Sequence, residues 1–141
     1  MDHTNNSIKE KQEQIIREFS EIGDSFDRYS YLIELACLHE PMPEEKKTES
    51  NLVRGCQSHV WLDIDCTEGF LRFSSDSDTL IIKGVLYLLE EIFNGSTFRE
   101  AADAEVTFLK EIGIMENFES ERQKGIGYVI RTLQDTAKKM S

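Results

Sequence analysis

The chain has 141 residues, with 16 lysines and arginines against 27 aspartates and glutamates, a formal net charge of −11. A composition that is 39% hydrophobic and 30% charged fits one globular domain over residues 1–141, and no apolar run reaches the roughly 20 residues a membrane helix needs. So acidic a surface repels phosphate, which argues against nucleic acid and anionic membranes as partners and leaves a basic protein surface open.

Residues 1–6 are polar and read as a flexible tail, without the charged and apolar regions of a secretory signal. Ser7 and Glu10 stand three apart, the spacing of a capping box, and predict a helix with Ile8, Ile15, Phe19 and Ile22 on one face. Gly23-Asp24 ends it and opens a second helix, whose apolar stripe reads as Phe26, Tyr29, Ile33 and Ala36 with Cys37 beside them. Pro41 and Pro43 prevent its continuation. Residues 8–39 therefore read as an antiparallel helix pair, and residues 40–52 as an exposed loop.

From His59 to Cys66 the pattern alternates. Val60, Leu62, Ile64 and Cys66 fall on one side, His59, Trp61, Asp63 and Asp65 on the other. Period two predicts a strand with one buried face. Thr67-Glu68-Gly69 suits a hairpin loop, Phe70–Ser74 the return strand, and Leu52–Gly55 a third strand at an edge. Asp76-Ser77-Asp78 offers caps for a helix from Thr79 to Phe93 that is apolar on most sides and so central. Asn94-Gly95 stops it. Thr97 with Glu100 opens a short helix, and another covers about 105–111, ending at Gly113. Ser120 and Gln123 cap the last, where Ile126, Val129, Ile130, Leu133 and Ala137 line up. Helices before and after a short meander give the class: α+β, a three-stranded antiparallel sheet packed by helices.

The cysteines number three, an odd set that fits a reducing cytoplasm better than a disulfide framework. Cys37 and Cys66 fall on predicted apolar faces and read as small buried hydrophobes. Cys56 follows Gly55 in a loop, where a thiol can approach another protein; on residues alone it reads equally well as functional or structural. Cys56 and His59 have a C-x-x-H spacing, but a metal site wants about four ligands and no matching pair is present. A Cys–His hydrolase would need an oxyanion hole and a third orienting residue, neither of which is identifiable. His59 itself reads as a solvent-facing strand residue.

The segment Val53-Arg54-Gly55-Cys56-Gln57-Ser58-His59-Val60-Trp61-Leu62 resembles the SufE family of sulfur-acceptor proteins in its G-C-Q-S-x-V-W core. Asp76-Ser77-Asp78 with Ile82-Lys83-Gly84 resembles the family's D-S-D…I-V-K-G stretch. Ser120-x-Arg122-x-x-Gly125 resembles the S-x-R-x-x-G that opens its last helix, and Tyr31-Leu32-Ile33-Glu34-Leu35 is similar to its second-helix segment. Order and spacing agree from about residue 8 to 138.

The resemblance implies a fold like that of SufE and the IscU scaffold, and a sulfur-transfer accessory protein rather than an enzyme. Cys56 would take the outer sulfur from the persulfide of a PLP-dependent cysteine desulfurase of the SufS type, stimulate that enzyme, and pass the sulfur to a SufB-containing cluster scaffold. The chain would need no cofactor or metal of its own, PLP belonging to the desulfurase. Arg54, Gly55, Gln57, Ser58 and His59 would form the acceptor loop, with Gly55 its hinge and Arg54, backbone N–H groups and His59 favouring the thiolate. Trp61 is expected to pack under a helix or meet the partner, and Asp78 to cap the central helix. Lys83 and Arg122 are expected at the desulfurase interface or in internal ion pairs. The acidic surface favours a monomer and leaves a weak homodimer open. The rival readings are a cluster scaffold of the same shape, which needs grouped cysteines, and an adaptor that activates a desulfurase without carrying sulfur.

Overall fold

The computed structural model describes residues 7–56 and 58–141. The proposed tail, residues 1–6, and Gln57 of the acceptor loop lie outside the described residues.

The first helix, α1 (Ile8–Ser20), starts at the expected capping box: Ser7 Oγ accepts the Glu10 N–H at 3.1 Å and Glu10 Oε1 accepts the Ser7 N–H at 2.9 Å. A carboxylate from far along the chain completes the cap, Glu100 Oε2 accepting the Ile8 N–H at 2.7 Å. Ile8, Ile15 and Phe19 are buried. The second helix, α2 (Ser25–Ala36), is capped by Asp24, but its buried face differs from the expected one. Leu32, Leu35 and Ala36 are buried, whereas Phe26 is 74% exposed and Cys37 is exposed. The cause is the point of closest approach. Leu32 lies against Gly84, where any side chain would run into the Leu32 carbonyl. At about 100° per residue, Phe26 and Cys37 stand about 120° and 140° away from Leu32 around the helix. Nor do α1 and α2 form a simple pair: α2 packs chiefly on the central helix, and α1 lies against that helix and residues 108–111.

Most of residues 40–52 are exposed, as expected, but the segment is not structureless. Met42 is buried, and short 3₁₀ turns at Glu44–Lys46 and Glu49–Asn51 carry the chain over one side of the sheet. Among the described residues the sheet has two strands, not three. The strands β1 (Val60–Asp65) and β2 (Arg72–Ser77) run antiparallel, from Val60 opposite Ser77 to Asp65 opposite Arg72. The expected third strand is reduced to one bridge, Leu52 with Trp61, and a Val53 N–H donated to the Val60 carbonyl at 2.8 Å. The chain enters that bridge from a 3₁₀ turn and leaves at Gly55, whose φ of +89° turns it away. The return strand lies later than expected, so Asp76 and Ser77 belong to β2 and do not cap a helix. Cys66 lies beyond the end of β1 and is half-buried. Asn94 closes the far edge of β2 as a strand would, accepting the Phe73 N–H at 2.7 Å and donating to the Phe73 carbonyl at 3.0 Å.

The central helix, α3 (Leu80–Phe93), buries Ile81, Ile82, Val85, Leu86, Leu88, Leu89, Ile92 and Phe93, as its pattern requires. Thr79 stands at its N-cap without a side-chain cap, which corrects the capping role expected of Asp78. Two short helices follow, α4 (Phe98–Asp103) and α5 (Phe108–Glu111). Buried Gln12 of α1 ties them down, donating to the Glu105 carbonyl at 3.0 Å and accepting the Thr107 and Phe108 N–H groups at 2.9 and 3.1 Å. The last helix, α6 (Ser120–Met140), buries Ile126, Val129, Leu133 and Ala137. Its N-cap is Glu119 rather than Ser120, and the Gln123 amide instead donates to the Met115 and Phe118 carbonyls, each at 2.9 Å. No helix among the described residues is long and apolar enough to cross a membrane.

Candidate functional site

The site is where the turn after residue 53 meets the first half of α6. Gly55, at φ +89°, bends the chain so that Cys56 is set against Gly125. The Cys56 thiol donates to the Gly125 carbonyl, with sulfur and oxygen 3.5 Å apart. A Cβ at residue 125 would stand 3.3 Å from the sulfur, so the missing side chain of Gly125 is the space the thiol uses. Glycine inside a helix costs about 1 kcal/mol relative to alanine, and here close approach explains it.

Behind the thiol is a small cavity of about 20 Å³, room for roughly one water-sized group. Its walls are apolar: Val60 from β1, Ile82, Val85, Leu86 and Leu89 from α3, and Ile126 and Val129 from α6. Ser58 and Arg122 are its polar members beside the thiol itself. Burial pushes the Cys56 thiol up, because a thiolate loses hydration that apolar walls do not replace. The S–H donated to Gly125 requires the same proton.

The groups expected to favour the thiolate are engaged elsewhere. Arg54 is exposed and pairs with Glu49 at 3.1 Å. The exposed His59 is held by Asp78, whose Oδ1 accepts the His59 N–H at 3.2 Å and whose Oδ2 meets Nδ1 at 2.9 Å. Burial alone would raise the Asp78 carboxyl, but the hydrogen bonds from His59 and Thr79 outweigh it and hold the carboxyl low. Asp78 therefore fastens the start of β1 to the turn before α3. Ser58 is fastened to the same turn, its Oγ accepting the Thr79 hydroxyl at 2.8 Å. Arg122 is the cationic residue that lines the cavity, and its guanidinium makes no hydrogen bond or ion pair among the described residues.

Trp61 does not pack under a helix. It is half-buried, stacked on the His59 ring at 5.7 Å with the planes 12° apart, and the Lys47 ammonium stands 5.2 Å from its centroid. Lys83 belongs to an ion pair: its ammonium and that of Lys47 flank the buried Asp76 at 3.5 and 3.4 Å. Burial by itself would raise the Asp76 carboxyl. The Met42 and Ser77 N–H groups and the two lysines together hold it below the usual range. Arg54, Lys83 and Trp61 thus stand apart from the thiol, while Ser58 and Arg122 share its cavity. Sequence reasoning missed Gly125 and Tyr128 as neighbours of the loop. Two glycines, Gly125 and Gly127, in the first turns of a helix were the available signal. Among the described residues no three His, Cys, Asp or Glu side chains come together as metal ligands.

The SufE family model, described as an Fe–S metabolism associated domain, matches residues 13–137. An uncharacterized SufE-like protein of Rhizobium etli is 36% identical over 133 residues, covering 89% of this chain and 88% of that protein. One from Rhizobium meliloti is 33% identical over 130 residues, covering 89% and 93%. A region amounting to 16% of the chloroplastic quinolinate synthase of Arabidopsis thaliana is 34% identical over 112 residues, 79% of this chain. The solution structure of a hypothetical protein from Thermus thermophilus shares the fold, with a TM-score of 0.73, 23% identity and coverage of 92% of this chain and 94% of that one. With the match running through the Cys56 loop, the sheet and the helix that backs it, the chain belongs to the SufE family, and its role lies in Fe–S metabolism.

Proposed function

We propose that the protein is a sulfur carrier that receives sulfur on Cys56 from a SufS-type cysteine desulfurase and delivers it to a SufB-containing scaffold. The observation that supports this most directly is the placement of Cys56: a half-buried thiol on a glycine turn, backed by an apolar cavity about the size of one added atom. In the loading step the Cys56 thiolate attacks the outer sulfur of the partner's persulfide. The bond between the partner's two sulfurs breaks, a bond from Cys56 to the outer sulfur forms, and the partner leaves as a thiolate. Disulfide-type exchange of this kind needs no added oxidant or reductant. PLP chemistry belongs to the desulfurase. On this chain, Cys56 accepts the sulfur, Gly55 and Gly125 let the loop fold in or extend, and Arg122 supplies positive charge beside the cavity.

A thiol whose ionisation is suppressed by burial is a poor nucleophile where it rests. The loop therefore reacts in an extended state and protects its cargo in the folded one. The test is alanine release by a SufS-type desulfurase with wild type or Cys56→Ser present. A carrier stimulates turnover and the serine variant loses most of that stimulation; an adaptor keeps it, which would overturn the reading.

A further inference from the structure

The acceptor loop meets α6 at two places one helical turn apart. Gly125 makes room for Cys56, and Tyr128, three residues on, lays its ring on Gly55. A Cβ on Gly55 would stand 2.7 Å from Tyr128 Cε2 and 2.8 Å from Cδ2. The backbone therefore needs glycine twice over at this point, for its φ of +89° and for the ring above it. Tyr128 is not a core residue, being 40% exposed. Its hydroxyl has no hydrogen-bond partner among the described residues, and its carbonyl accepts from Thr132 Oγ1 at 2.8 Å. What holds ring and loop together is packing of the ring against the loop backbone. The stem of the loop is thus covered by a side chain that solvent reaches on its other side, and a rotamer change of one aromatic residue uncovers it.

We propose that Tyr128 is the latch of the acceptor loop: a positioning residue that keeps Cys56 folded against α6 and has to move off Gly55 before the thiol can reach outward. Its meaning for sulfur transfer rests on the carrier reading above; the latch itself does not. Removing the ring takes away packing that only the folded loop enjoys, so the open population rises while the distant core is untouched.

The experiment is alkylation of the full chain with iodoacetamide, followed by peptide mapping, in wild type, Tyr128→Ala and Tyr128→Phe. Cys37 and Cys66 serve as internal references. Tyr128→Ala is expected to raise the rate at Cys56 by about tenfold with both references unchanged, and Tyr128→Phe, which keeps the ring, is expected to match wild type. An unchanged Cys56 rate in the alanine variant overturns the latch. So does equal acceleration at all three cysteines, because that reports general loosening. A desulfurase is not needed for this readout, so failure of the latch and failure of the carrier reading appear in different experiments. With a desulfurase present, the latch predicts that a persulfide on Tyr128→Ala is lost to added thiol faster than on wild type.

Discussion

At Cys56 two demands oppose each other. Protection needs burial, and attack needs a thiolate. The folded loop satisfies the first, since apolar walls and the Gly125 carbonyl favour the protonated sulfur. We expect the pH profile of Cys56 alkylation in the free protein to have its midpoint above the ordinary thiol value of about 8.5, and to return to that value in urea. The sign of the stability effect follows. Because the unfolded chain ionises this thiol first, the group leaves stability unaffected below the thiol range and lowers it as pH rises through that range. A folded-state midpoint at or below the ordinary value would contradict the burial argument. Cys56 was legible in the sequence because Gly55 precedes it inside a recognisable motif. That Gly125 and Tyr128 are its neighbours was not, since a contact across 69 residues shows in the sequence only as two glycines early in α6, with nothing to say what they face. The charges nearest in sequence, Arg54 and His59, were misleading because each has a carboxylate partner away from the thiol, Glu49 five residues back and Asp78 across the fold.

At the scale of elements, helices were read well and the sheet less well. Long periodic segments such as α3 and α6 declare themselves, because one face must be buried over several turns. The third strand failed because hydrophobic residues at 52 and 53 carry no sign that turns on both sides leave space for one bridge. The stripe of α2 was misplaced because Gly84, not the pattern within α2, decides which face is buried. The polar end of β2 was also misread. Asp76 reads as a helix cap in the sequence, yet it is a buried carboxylate that joins residue 42, Lys47 and Lys83 to the sheet. Asp76→Asn should destabilise the protein by about 2 kcal/mol at neutral pH, toward the low end for a buried charge because both lysines keep contact with water. Since folding lowers this carboxyl's pKa, its contribution is complete above the unfolded value of about 3.9 and is lost as pH falls through the folded value. Urea unfolding should therefore show a wide gap between wild type and Asp76→Asn near neutrality that narrows in acid. A gap that stays constant with pH would mean that packing, not charge, is at stake.

Across the whole molecule, contacts distant in sequence converge on the site. Glu100 ties α1 to α4 and Gln12 ties it to the segment that follows, α3 supplies the cavity floor, and α6 closes over the loop from the C-terminal end of the chain. The Cys56 loop is held to this framework by Gly125 and Tyr128 on α6 and, at its far end, by the fastening of Ser58 to Thr79 and of His59 to Asp78. The charge of −11 suits an encounter with a partner that presents basic residues, and long-range steering of that kind weakens with added salt. Sulfur carried on Cys56 is tested most directly by intact mass and peptide mapping of wild type and Cys56→Ser after incubation with a SufS-type desulfurase, PLP and cysteine. Added sulfur is expected on the Cys56 peptide of the wild type and none on the serine variant. Sulfur on Cys37 or Cys66 instead, or no gain while the desulfurase turns over, would contradict the carrier reading.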